Sequence, residues 1–204
     1  MRLSKYIIEA TGSGITFIDL DETLFHTFAK VHVVKGGKKV KALTNQEYNT
    51  HQLKDNEKYD YGEFKNAKLF RKTSIPVKKT VKRMKKMLKG INESGSESRI
   101  LILTARTNFN DKEEFLSKFK DHGLDLRKEG VYVERNSRSS DTSISSEKKA
   151  IIDKYIKGGK YERVRLIDDS IDNIKAFLEL QSEYPSMKFF GLLVKKDGTL
   201  KRVK

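Results

Sequence analysis

Three apolar runs in this chain each stop at polar residues able to do chemistry, and that pattern limits the fold more than any other. Ile15-Thr16-Phe17-Ile18 runs into Asp19-Leu20-Asp21, Ile100-Leu101-Ile102-Leu103 into Thr104-Ala105-Arg106, and Val164-Arg165-Leu166-Ile167 into Asp168-Asp169-Ser170. The continuous run Ile100–Leu103 reads as a strand buried on both faces, as in a parallel sheet covered by helices. Open α/β sheets bind ligands at the carboxyl ends of their strands, where all three polar ends fall. Alternation along a strand puts Asp19 and Asp21 on one side and Leu20 on the other. Two converging carboxylates suit a hard cation such as Mg²⁺, which takes one or two carboxylates together with substrate phosphate oxygens.

Each feature also has a plain structural reading. An Asp-x-Asp in a turn can be a solvated cap, and Asp168 or Asp169 can cap the helix that carries Ile171, Ile174, Phe177 and Leu178. Thr104 stands too early to cap the helix starting near Asn110-Asp111, whereas a hydroxyl and backbone N–H groups at a strand end can hold a phosphoryl oxygen. Ser145 or Ser146 as N-cap and Gly158-Gly159 as stop predict a helix with Ala150, Ile151, Tyr155 and Ile156 on its apolar face. Lys148 or Lys149 then falls in the first turn, against the helix dipole, where it serves either an anion or merely the surface.

Taken in order, Asp19-Leu20-Asp21-Glu22-Thr23, Leu103-Thr104-Ala105-Arg106, Lys149 and Asp168-Asp169-Ser170 resemble the four motifs of the haloacid dehalogenase superfamily, in its phosphatase branch. The resemblance implies a Rossmann-like three-layer α/β fold on a parallel sheet, bound Mg²⁺ and an aspartyl-phosphate intermediate. It makes Asp19 the nucleophile and Asp21 the general acid and base. Thr104 would hold the phosphoryl group, and Lys149 would neutralise charge on nucleophile and phosphoryl alike. Asp168, with Asp169, would complete a metal shell alongside Asp19 and the backbone carbonyl of Asp21. Thr23, Ala105 and Arg106 would lie on the substrate side. Lys149 is preferred to Lys148 because Lys-Ala-Ile-Ile is closer to the third motif. Asp168 is preferred as direct ligand because it is nearest the strand end; Asp169 with Asp172 or Asn173 is the other register.

The stretch between the first two motifs exceeds what one crossover helix requires. Val31–Val34 and Lys39–Leu43 flank Gly36-Gly37, a good hairpin turn, and Thr44 reads as the cap of a short helix. Residues 26–74 are accordingly read as a small cap insertion containing a β-hairpin, with 1–25 and 75–204 forming the catalytic core. In the resembling family such insertions cover the site and select substrates. Pro76 is expected to start a helix with Val77, Val81, Met84 and Leu88 on one stripe and lysines on its other faces. The carboxy-terminal segment reads as a strand and an Asp197-Gly198 hairpin at the sheet edge.

Composition bears on partners. The formal net charge is +15 and the pI about 9.7, an excess that attracts polyanions by counterion release. Tyr48, Tyr59, Tyr61 and Phe64 in the insertion could stack on bases. The chain has no cysteine, which excludes disulfides and zinc–thiolate sites, and no apolar run near the roughly 18 residues of a membrane span. Met1–Glu9 is too interrupted for a secretory signal and is expected to dock on the core or fray. These readings predict a cytoplasmic enzyme (a host's cytoplasm, for a viral chain): a Mg²⁺-dependent phosphomonoesterase acting on a nucleotide or polynucleotide-end phosphate. The alternatives are a phosphoprotein phosphatase of the polymerase-tail type and a nucleic-acid-binding protein with an inactive core.

Overall fold

The structure, a computed structural model, describes residues 12–135 and 143–204; the expectation for Met1–Glu9 lies outside the described residues. The strands are β1 (Gly14–Ile18), β2 (Phe25–His26), β3 (Val31–Lys35), β4 (Lys38–Leu43), β5 (Glu57–Asp60), β6 (Ile75–Pro76), β7 (Arg99–Thr104), β8 (Tyr132–Arg135), β9 (Arg163–Asp168), β10 (Lys188–Val194) and β11 (Leu200–Val203). The helices are α1 (Asn45–Thr50), α2 (Gly62–Lys65), α3 (Ala67–Thr73), α4 (Lys78–Ser94), α5 (Lys112–Lys120), α6 (Ile144–Lys157) and α7 (Ile171–Glu179).

The three apolar runs become β7, β1 and β9, adjacent in a six-stranded sheet of order β11-β10-β9-β1-β7-β8. Every pairing in it is parallel except the β10–β11 hairpin at the edge. The sheet is therefore mixed and mostly parallel, compatible with a Rossmann-like fold. Alternation divides its side chains between two cores. Ile18, Ile100 and Ile102 pack with Met84 and Leu88 of α4 and Phe115 and Phe119 of α5. Ile15, Phe17, Leu101, Leu103, Val164 and Leu166 pack with Ile152 and Ile156 of α6 and Ile174 and Phe177 of α7. Both faces are covered, which is why Ile100–Leu103 of β7 is an unbroken apolar run, while β1 and β9 also bury Thr16 and Arg165. Each fully buried Leu, Ile or Phe contributes about 1.5–3 kcal/mol relative to exposure.

Between β2 and β6 the chain leaves the core and returns. A two-residue antiparallel ladder, Phe25 with Pro76 and His26 with Ile75, closes the base of that excursion. Within it β3, flanked by β4 and β5, makes a three-stranded antiparallel sheet over a small core of Val31, Val33 and Leu43. Gly36 and Gly37 both take positive φ at the expected hairpin turn, and Thr44 with Glu47 forms a capping box on α1. The insert is tied to the loop after β7 by Ala67 N donating to Asn110 Oδ1 and Asn110 N donating to the Lys65 carbonyl.

Two helix starts differ from expectation. The helix expected from Pro76 begins at Lys78, because Pro76 pairs in β6 and the Val77 N–H donates to the Leu24 carbonyl at 2.9 Å. Its stripe of Val77, Val81, Met84 and Leu88 is buried as expected. The cap of α6 is Ser143, which accepts from Ser146 N, not Ser145 or Ser146. Lys148 and Lys149 consequently lie beyond the first turn, where the dipole has little effect on them.

Candidate active site

Register brings the strand ends together. Ile18 is level with Ile102 on one side and with Ile167 on the other. The next residues, Asp19, Leu103 and Asp168, are therefore neighbours, and Asp19 N donates to the Ile167 carbonyl at 2.9 Å. Asp19 shares the parity of Ile15 and Phe17, and Asp168 that of Val164 and Leu166, so both carboxylates face the α6–α7 layer.

The lysine that meets them from α6 is Lys148. Lys148, Ile152 and Ile156 are four residues apart, form one buried stripe and so face the sheet together. Lys148 Nζ donates to Asp19 Oδ1 at 2.6 Å and to Asp168 Oδ2 at 2.8 Å. Lys149, the preferred choice from sequence, turns outward and pairs with Glu179 at 2.9 Å. The correction has a simple cause: the helix is registered on its apolar stripe, and one residue rotates a side chain by about 100°.

Asp168 is fully buried and held from its other side by Asn173 Nδ2 and the Ser170 N–H. From sequence Asn173 is an alternative ligand; its place one turn after the strand end is the signal for the supporting role it takes. Asp169 accepts from Thr23 Oγ1 at 3.2 Å, so Thr23 braces the acidic group. Carboxylate oxygens of Asp19, Asp168 and Asp169 all lie within 4.8 Å of one another. The Asp21 side chain is not in that group. Arg106 holds it through Nε at 3.0 and 2.9 Å and Nη2 at 2.6 Å, and Thr27 Oγ1 donates to it at 2.7 Å. Thr27 was not singled out from sequence. Arg106 is itself buried, donates to the Phe64 carbonyl at 3.0 Å, and lies 4.7 Å from the Phe64 ring centroid. Thr104 is completely buried and its hydroxyl accepts from the Arg106 N–H at 3.1 Å. Ala105 is at the rim beside Arg106.

Electrostatics single out the same group. Burial, opposed by Lys148 and reinforced by Asp168, Asp169 and Asp21, raises the Asp19 carboxyl well above the usual range. Burial also works against the charge on Lys148, but Asp168 and Asp19 outweigh it and raise its pKa. Asp169 is exposed as a residue, yet protein around its carboxyl and the neighbouring Asp168 charge push it up to about 6. With all three acids ionised, one ammonium faces three carboxylates, a surplus that a divalent cation would balance. Hard oxygen donors at this spacing fit Mg²⁺.

Comparisons with protein-family models, with curated proteins and with solved structures found no match to this chain.

Proposed function

We propose that the chain is a Mg²⁺-dependent phosphomonoesterase of the haloacid dehalogenase type, acting on a nucleotide or polynucleotide-end phosphate. The observation that carries the proposal is the meeting of Asp19, Lys148, Asp168 and Asp169 at one sheet edge. Capping does not account for a buried lysine bridging two buried acids contributed by different strands.

In this reading Asp19, Asp168 and Asp169 hold the metal, which supplies charge neutralisation for an anionic nucleophile approaching an anionic phosphate. Lys148 holds Asp19 through Oδ1, so Oδ2 attacks phosphorus and the bond to the leaving oxygen breaks. Asp21 gives its proton to that oxygen. It then takes a proton from the water that cleaves the aspartyl phosphate, releasing phosphate and restoring Asp19. Before the first step Asp21 must let go of Arg106 and take up a proton from solvent, and the freed guanidinium becomes a donor for substrate oxygens, in a low-dielectric pocket where such contacts count most. The insert over β3, β4 and β5 serves as the cap.

The test is hydrolysis of p-nitrophenyl phosphate with and without Mg²⁺. Turnover should require the ion and vanish in Asp19→Asn while that variant keeps the wild-type circular dichroism spectrum. Unchanged turnover in Asp19→Asn would refute the nucleophile assignment, and no turnover by the wild type with Mg²⁺ would refute the reaction.

A further inference from the structure

A cavity of about 770 Å³ lies between the insert and the loop that follows β7. That is inside the roughly 300–1,000 Å³ range of small-molecule sites. Its core side is formed by Asp21, Ala105, Arg106, Thr107 and Ile144, and neither Asp19 nor Lys148 lines it. It therefore adjoins the group assigned to protonate the leaving oxygen, not the nucleophile. A substrate with its phosphoryl group on Asp19 would extend its leaving group into this space.

The walls describe what that leaving group must be. Tyr48, Tyr59, Tyr61 and Phe64 all line the cavity and present aromatic surface. Tyr48 packs edge to face with Tyr59 and with Tyr61, and the Tyr48 and Tyr61 hydroxyls are bonded at 2.7 Å. Such a set is rigid, with polar tips beside apolar rings. Lys58 of β5 and Lys65 of α2 are exposed and also line the cavity, while Lys39 is already paired with Asp60 at 3.4 Å. Aromatic walls favour a flat ring, and two lysines favour an anion. The scissile phosphate is already bound elsewhere, so the anion is a second one.

We propose that this cavity is the leaving-group subsite and that it takes a nucleoside bearing a second phosphate, its base against the aromatic wall and that phosphate against Lys58 and Lys65. The assignment rests on the phosphomonoesterase reading above. A free nucleoside bisphosphate and the phosphorylated terminus of an oligonucleotide share this chemistry.

The experiment uses the full chain carrying Asp19→Asn, with binding followed by calorimetry. The probes are adenosine 3′,5′-bisphosphate, a 3′-phosphorylated oligonucleotide, ribose 5-phosphate and a phosphopeptide. Stacking of one base corresponds to about 5- to 150-fold in affinity, so one of the first two should bind at least ~5-fold more tightly than ribose 5-phosphate. Adding Lys58→Ala and Lys65→Ala should erase most of that advantage, and Phe64→Leu should reduce it; Lys188→Ala, on a distant strand, should not change it. Tighter binding of the oligonucleotide identifies a polynucleotide end as the source, and tighter binding of the bisphosphate identifies a free nucleotide. Equal affinity for ribose 5-phosphate and both nucleotides overturns the subsite, as does preference for the phosphopeptide. If p-nitrophenyl phosphate is hydrolysed while the nucleotides show no preference, only the subsite fails. If it is not hydrolysed but nucleotides bind with the lysine dependence described, the reaction and the leaving-group role fail together, and the cavity is a nucleotide-binding site only.

Discussion

Lys148 is buried between Asp19 and Asp168, and its neighbour Lys149 is on the surface, so the two adjacent lysines should behave very differently. Removing one partner of a buried ion pair leaves uncompensated charge, typically a cost of about 3–5 kcal/mol. Lys148→Ala should accordingly lower metal-free stability by that order in urea unfolding. Under the proposed reaction it should also reduce turnover by roughly 10²–10³-fold, the usual effect of losing one preorganised donor. Lys149→Ala loses an exposed pair worth about 0–1 kcal/mol and should change turnover less than twofold. The reverse ranking would show that α6 is rotated from the orientation described. The acidic residues were readable one by one, since strand ends and Asp-rich turns are local features. Which lysine joins them was also written in the sequence, as the spacing of Lys148, Ile152 and Ile156, but only to a reading that registers the whole helix before its lysines.

At the scale of elements, close approach explains what side-chain patterns do not. Gly191 in β10 faces α7, and a Cβ built there would lie 2.6 Å from Ile174 Cγ2 and 3.2 Å from Leu178 Cδ1. Gly191→Ala should therefore destabilise by about 1–3 kcal/mol through overpacking, measured by urea denaturation. A neutral result would mean that α7 can shift away from the sheet without cost. The hairpin at Gly36-Gly37, the box at Thr44 and the edge hairpin at Asp197-Gly198 were legible because turn and cap chemistry is local. The starts of α4 and α6 were not. Pro76 is drawn into β6 by its partner Phe25, far away in sequence, and Ser143 outcompetes two equally suitable serines.

The whole molecule should respond to pH through the acidic group. Asp19 and Asp169 titrate above their ordinary carboxyl values in the folded, metal-free chain, Asp169 near 6. The folded state then binds more protons than the unfolded state between about pH 4 and 6. Their contribution to stability is fully present below the unfolded value and is lost as pH rises through the folded one. Metal-free wild type should lose more stability than Asp169→Asn across that interval, as read by thermal unfolding in EDTA. Mg²⁺ should oppose this by binding the ionised acids, raising Tm at pH 7.5 more than at about pH 5. A Mg²⁺ effect equal at both pH values would exclude these carboxylates as its ligands. Among the described residues no helix is long and apolar enough to cross a membrane.

The sequence by itself determined the parallel strands, the acidic and polar residues at their ends and the insert between the first two of the three runs. Those depend on periodicity, turn residues and residue type, all of which act over a few positions. Tertiary structure decided the rest: Lys148 over Lys149, Asp21 held by Arg106, and a cavity walled jointly by insert and core. Each of those depends on the distance between groups far apart along the chain, and that distance is fixed only when sheet register and helix packing are satisfied together.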